Sequence, residues 1–181
     1  MTRDQTLARR TARGAVIAVV LALIVAAPVA AAQPTRTVTH FPGDRVGHFP
    51  AGTGCTFDVT VYSGPPAHIT VTDFSDGTEV VEVNATKRAI TSDVTGKVFM
   101  DDQVYRDAER IDPATGLLRG ETSGQFIDTF FPGDVGPYGV VDQVVSYAII
   151  GHQTYTLDPN TFATLALSIT GSITNICAAI S

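Results

Sequence analysis

The chain has no Cys/His spacing that would hold zinc, no glycine-rich phosphate loop ahead of a helix and no Gly-x-Ser-x-Gly elbow. With those signs missing, no catalytic, cofactor or metal-ligating residue can be assigned. Basic residues are few, 12 Lys and Arg against 18 Asp and Glu, for a net charge of -6. Nucleic acids and anionic membranes need a basic footprint, so neither is an expected partner. Long runs of the helix formers Leu, Glu, Lys and Gln are absent, whereas Thr, Val, Gly and Asp are plentiful. That balance points to an all-β protein. There are only two cysteines, Cys55 and Cys177, which allows one bridge at most.

The N-terminus has the layout of an export signal. Arg3, Arg9, Arg10 and Arg13 precede an apolar run over 15–27, Pro28 breaks it, and Ala30-Ala31-Ala32 offers small residues to a signal peptidase. Residues 1–32 are therefore expected to be a cleaved signal peptide. The alternative is an uncleaved anchor, because 15–32 is nearly long enough to span a bilayer. Arg9-Arg10 invites a twin-arginine reading, but Thr11-Ala12-Arg13 fits that signal poorly. Cleavage takes four of the 12 basic and one of the 18 acidic residues, leaving eight and 17, or -9. About 150 residues remain, enough for one domain with a core. In an exported protein the two cysteines are expected to pair.

The organising stretch is Cys55-Thr56-Phe57-Asp58-Val59-Thr60-Val61-Tyr62, in which Cys55, Phe57, Val59 and Val61 alternate with polar neighbours. A period of two means a strand with one buried face. Before it, 33–54 is aperiodic and reads as an irregular arm. After it, 55–181 alternates between strand-like runs and turns, at Ser63-Gly64-Pro65-Pro66, Asp76-Gly77, Thr95-Gly96, 112–116 and Asp158-Pro159-Asn160. The strand-like runs number eight or nine, with no room for crossover helices. The last run, 162–177, places Cys177 on the same face as Leu165, Leu167, Ile169 and Ile173.

A bridge from the start of the first long strand to the end of the last brings those two points together. The expected fold is an antiparallel meander closed into an up-and-down barrel, with a β-sandwich as the alternative.

Nine of the 25 charged residues of the mature chain fall within 101–121. A strand starting at Gln103 shows Tyr105, Asp107 and Glu109 on one face and Val104, Arg106, Ala108 and Arg110 on the other. Whichever face turns inward carries charge, which needs pairing or water. The plain alternative is a solvated edge paired with Arg119 and Glu121. Phe41-Pro42-Gly43-Asp44 recurs as Phe131-Pro132-Gly133-Asp134, good type II turn chemistry that could bring Asp44 and Asp134 together. The candidate ligand-binding residues are thus Tyr105, Arg106, Glu109, Arg119 and Asp134. Gly120 and Gly124, within the Leu118-Thr122-Phe126 register, mark either space or a bend. His40 and His48 flank the first FPGD, an arrangement more typical of solvated loop residues than of a site. The sequon Asn84-Ala85-Thr86 has meaning only in a eukaryotic secretory pathway, and the export signal reads as bacterial.

The stretch Pro50-Ala51-Gly52-Thr53-Gly54-Cys55-Thr56-Phe57-Asp58-Val59, with the closing Cys177-Ala178-Ala179-Ile180, resembles a group of small secreted actinobacterial proteins. Those carry PAG-x-x-C-x-F-x-V near the start and D-L-C-A-A-L at the end; here Asn175-Ile176 stands in place of Asp-Leu. The resemblance implies a secreted, disulfide-linked β domain and adds no activity.

Three classes of function are compatible with these features. The favoured one is a non-catalytic module binding a small apolar or amphipathic ligand, because small antiparallel barrels commonly enclose one. The others are an extracellular or cell-envelope interaction protein with a filled core, and a barrel-type cyclase or isomerase.

Overall fold

A computed structural model describes residues 33–41, 43–64 and 67–181. The expected signal peptide and its cleavage site lie outside the described residues. Eleven strands follow in chain order: β1 Thr35–Phe41, β2 Arg45–Phe49, β3 Val59–Ser63, β4 Ala67–Asp73, β5 Glu79–Ser92, β6 Val98–Ile111, β7 Leu118–Phe130, β8 Val135–Gly136, β9 Gly139–Val140, β10 Val145–Leu157 and β11 Thr164–Asn175. A one-turn helix, α1, spans Ile176–Ile180. No helix among the described residues is long and apolar enough to cross a membrane.

Nine strands form one antiparallel sheet of simple connectivity. β1 pairs with β4 and β2 with β3, while β4 and β3 pair with successive halves of β5. β3, which ends at Ser63, and β4, which begins at Ala67, thus run as one ribbon along the same edge of β5. β1 and β2 form a second such ribbon outside it. From there the order β5-β6-β7-β10-β11 follows the chain. The all-β antiparallel meander expected from the turn spacing is what forms.

The expected irregular arm, 33–54, is largely strand. Thr35-Arg36-Thr37-Val38-Thr39 has the β-branched content of a strand, but both its faces are exposed, so no apolar alternation betrays it. The run expected as one strand over 162–177 ends at Asn175, whose side chain accepts a hydrogen bond from Ala178 N at 2.9 Å and caps α1. Cys177 therefore sits on a helix, and Cys55 in the loop ahead of β3.

The bridge itself forms, with 5.5 Å between the two Cα atoms and 122 residues of sequence between them. It does not close a barrel. Among the described residues β11 pairs with β10 alone, and the far edge belongs to β1 and β2. The physical reason is that the chain approaches the seam through a loop and a helix, neither of which offers a ladder.

Those two segments fill the curl of the sheet instead. Cys55, Val59, Ile90, Ala148, Ile176 and Ile180 form one core, joined by Val61, Phe99 and Ile127. Ser146 Oγ donates to Gly54 O at 2.8 Å, and Thr95 Oγ1 donates to Ile180 O at 2.6 Å, tying loop and helix to β10 and to the β5–β6 turn. A second core lies on the opposite face of β7 and β10, where Phe126, Phe130, Tyr147 and Ile149 pack together with Tyr105, Leu167 and Ile173. The pairs Ile127–Ala148 and Phe126–Ile149 put these residues back to back, so β7 and β10 bury both faces. That explains why 146–149 is a continuous buried run.

Candidate functional site

A cavity of about 630 Å³ opens on the second face of β6, β7, β10 and β11. Its floor follows from register. Asp107 pairs with Thr122, which pairs with Gln153, and Gln153 pairs with Ile169; six residues along β7, Asp128 stands opposite Tyr147. Alternation turns Tyr105, Asp107, Thr122, Phe126, Asp128, Gln153, Tyr155 and Leu167 to the same side.

Two loops cover this floor. Phe131-Pro132-Gly133-Asp134 forms the expected turn, with Asp134 N donating to Phe131 O at 3.0 Å and Gly133 at φ 100°. The other loop ends β10 and carries Phe162, whose φ of 58° is unusual for an aromatic residue. Asp134 joins the two loops: Oδ2 accepts from Phe131 N at 2.7 Å and Oδ1 from Thr164 N at 2.8 Å. Phe131 and Phe162 stand half to two-thirds exposed at the cavity margin.

The polar groups on the floor are densely connected. Tyr155 hydroxyl donates toward both oxygens of Asp107, at 3.0 Å each, and lies 3.3 Å from Glu109 Oε2. Thr122 Oγ1 donates to Asp107 Oδ1 at 2.6 Å. Gln153 Nε2 donates to Asp128 Oδ2 at 2.8 Å. Burial pushes Asp128 above the ordinary carboxylate range, against the opposing effect of the Gln153 hydrogen bond. Burial likewise raises Glu109, helped by the neighbouring Asp107 charge. Tyr155 is raised strongly, by burial first and then by the two carboxylates. A phenol so placed keeps its proton at neutral pH, so it serves as a hydrogen-bond donor and not as an acid or a base.

Of the five residues expected to bind ligand, Tyr105 and Asp134 line this cavity. Glu109 reaches it through Tyr155. Arg106 is exposed on the opposite side of β6, and Arg119 pairs with Asp112 at 2.9 Å. Glu109 and Arg119 do border a separate depression of about 390 Å³.

Charge does enter the sheet interior, as 101–121 suggested, and it does so on the first-core face as well. Arg88 and Asp101 are cross-strand partners facing the first core. Asp101 is 3% exposed, takes a hydrogen bond from Gln125 at 3.1 Å and is raised chiefly by burial.

Asp44 and Asp134 are not brought together: Asp44 accepts from Tyr62 hydroxyl, and Asp134 serves its own two loops. His40 stacks obliquely on His68 with ring centroids 6.0 Å apart, while His48 bonds Thr60 and Asp93. Among the described residues no three His, Cys, Asp or Glu converge as metal ligands do.

Sequence reasoning passed over Asp128, Gln153 and Tyr155. The available signal was alternation along β7 and β10, which puts Asp128 in line with Phe126 and Phe130, and Tyr155 with Gln153. No family model, curated protein or solved structure matches the chain. Any functional reading therefore rests on this geometry.

Proposed function

We propose that this is an exported β domain that holds a small amphipathic molecule in the β6–β7–β10–β11 cavity, without catalysing a reaction. The carrying observation is the cavity itself. About 630 Å³ falls inside the range of small-ligand sites, and its lining sets aromatic and aliphatic walls against a polar floor of carboxylates, threonines and Gln153, the two-sided character an amphipathic molecule needs. The aromatic residue at positive φ on its margin adds support, since backbone strain gathers at ligand contacts. A non-catalytic role suits a floor whose hydroxyl groups are engaged by carboxylates and whose phenol holds its proton.

Export to the extracellular space is supported by the Arg-then-Ala layout of 1–32, by the bridge, and by the resemblance to secreted actinobacterial proteins. The curled sheet with its covalent seam acts as an incomplete barrel in this proposal.

Native mass spectrometry of the protein purified from its own culture medium tests the reading. A small molecule that remains bound in the gentle spectrum and leaves on denaturation is the expected result. A bare mass under both conditions would overturn tight carriage and favour an interaction protein.

A further inference from the structure

The cavity has a one-sided chemistry. Asp107, Asp128 and Asp134 line it, Glu109 stands one hydrogen bond behind, and its lining contains no Lys, Arg or His. None of these four carboxylates forms an ion pair among the described residues. Asp134 is fully used by two backbone N–H groups, and Asp107 by Tyr155 and Thr122. Asp128 takes one side-chain hydrogen bond, from Gln153.

Gln153 supplies a second, independent sign. It lines the same cavity, is 3% exposed, and has one half of its amide committed to Asp128. The other half, the carbonyl Oε1, is buried with no hydrogen-bonding partner among the described residues. Buried acceptors without donors are rare in native proteins and need an explanation. A carboxylate and an orphaned amide carbonyl side by side ask for a group with several N–H donors and a positive charge. Beyond them, Phe126, Leu167, Phe131 and Phe162 offer apolar surface and aromatic faces, which also attract cations.

We infer that the ligand is an organic cation, a primary or secondary ammonium on an apolar or aromatic body, with its N–H groups on Asp128 and Gln153 and its body against the phenylalanines. This inference rests on the cavity reading above and narrows it to one ligand class. The raised position of Asp128 agrees with a carboxylate lacking a counter-charge.

Three probes of nearly one shape separate the possibilities: 2-phenylethylammonium, 2-phenylethanol and 3-phenylpropanoate. Each is titrated into the full-length mature protein at neutral pH and followed by amide chemical shifts around Thr122, Asp128 and Gln153. The cation should saturate these shifts at a concentration about tenfold lower than the alcohol, and the carboxylate should leave them unmoved. Asp128→Asn should abolish the cation's advantage while the alcohol binds as before. Asp142→Asn, which removes an equal charge from an exposed position, should leave it intact and so exclude general attraction to an acidic protein. If Asp128→Asn fails to fold, Asp107→Asn takes its place, with a partial loss expected. Equal or better binding of the alcohol or carboxylate at these amides overturns the cation inference and leaves the cavity reading standing. No shift with any probe overturns both.

Discussion

The ring of Tyr155 occupies the space that a side chain at position 120 would fill. An atom at the Cβ position of Gly120 would stand 2.1 Å from Tyr155 Cζ and 2.3 Å from its hydroxyl oxygen. The two residues are cross-strand partners in β7 and β10, and the missing side chain lets the phenol lie flat and reach Asp107 on β6. Gly120→Ala is therefore expected to lower stability by about 1 to 3 kcal/mol through overpacking. A shift of the urea midpoint at unchanged slope would register this. Adding Tyr155→Ala should cost less than the two single losses together, since the clash has gone.

Gly124 makes a harder demand. Its φ is 125°, and a Cβ there would lie 2.2 Å from the backbone oxygen of Val104. It heads a row with Gly151 and Gly171, paired across β7, β10 and β11 and also at positive φ. Gly124→Ala strains the backbone and pushes on a ladder that cannot yield, so a loss of at least about 2 kcal/mol is expected. Denaturant unfolding should rank it below Gly120→Ala.

Tyr155 also acts on the protonation of Glu109. Its hydrogen bond favours the charged form of Glu109, while burial and Asp107 oppose it. Tyr155→Phe should therefore move Glu109 further up, measured by carboxyl 13C titration. An unmoved or lowered Glu109 would mean that the phenol is not its donor in solution.

Stability should depend on pH in two arms of opposite sign. Asp128, Glu109 and Asp101 are raised, chiefly by burial. The native state therefore keeps protons that the unfolded chain releases, and stability falls as pH climbs from the ordinary carboxylate range through the raised values. Asp76, Asp112 and Asp158 are lowered, first by hydrogen bonds from turn backbone. What they contribute is present above the unfolded value and disappears as pH falls through the lowered ones. Melting temperature is expected to rise on acidification from neutrality to about pH 5 and to drop below about pH 4. Asp128→Asn should flatten the first arm and leave the second.

Reducing the Cys55–Cys177 bond should cost roughly 4 to 5 kcal/mol on loop-entropy grounds, given 122 residues between the cysteines. The double variant Cys55→Ala, Cys177→Ala should show a similar deficit, read by equilibrium unfolding without reductant. A loss below about 1 kcal/mol would mean that the plug of Ile176 and Ile180 holds the curl without covalent help.

Period-two alternation and turn chemistry are local, so the meander could be read from residues such as Val59, Val61 and Asp76-Gly77. β1 and β2 escaped because Thr35–Phe41 and Arg45–Phe49 are exposed on both faces and so carry no apolar alternation. α1 escaped because Ile173, Asn175 and Cys177 continue a strand-like alternation, while the capping contact from Asn175 to Ala178 depends on a single turn. At the site, alternation grouped Tyr105, Asp107 and Glu109 correctly but could not say which face was covered. Bringing Asp128, Gln153 and Tyr155 beside them depends on registers across three strands. Register is a long-range property, set by how whole faces pack.

The covalent bond near the two ends of the domain also makes most of the chain a closed ring. The exposed turns at 75–77, 93–97, 113–116 and 160–162 all lie inside it. A protease that cuts once at any of these tips opens the ring and releases nothing: both pieces stay on one molecule, still zipped into a common sheet. On a gel without reductant the nicked protein would run as a single species, and its fragments would separate only after the thiols were freed. Damage that would discard part of a linear domain is thus retained as a silent scar.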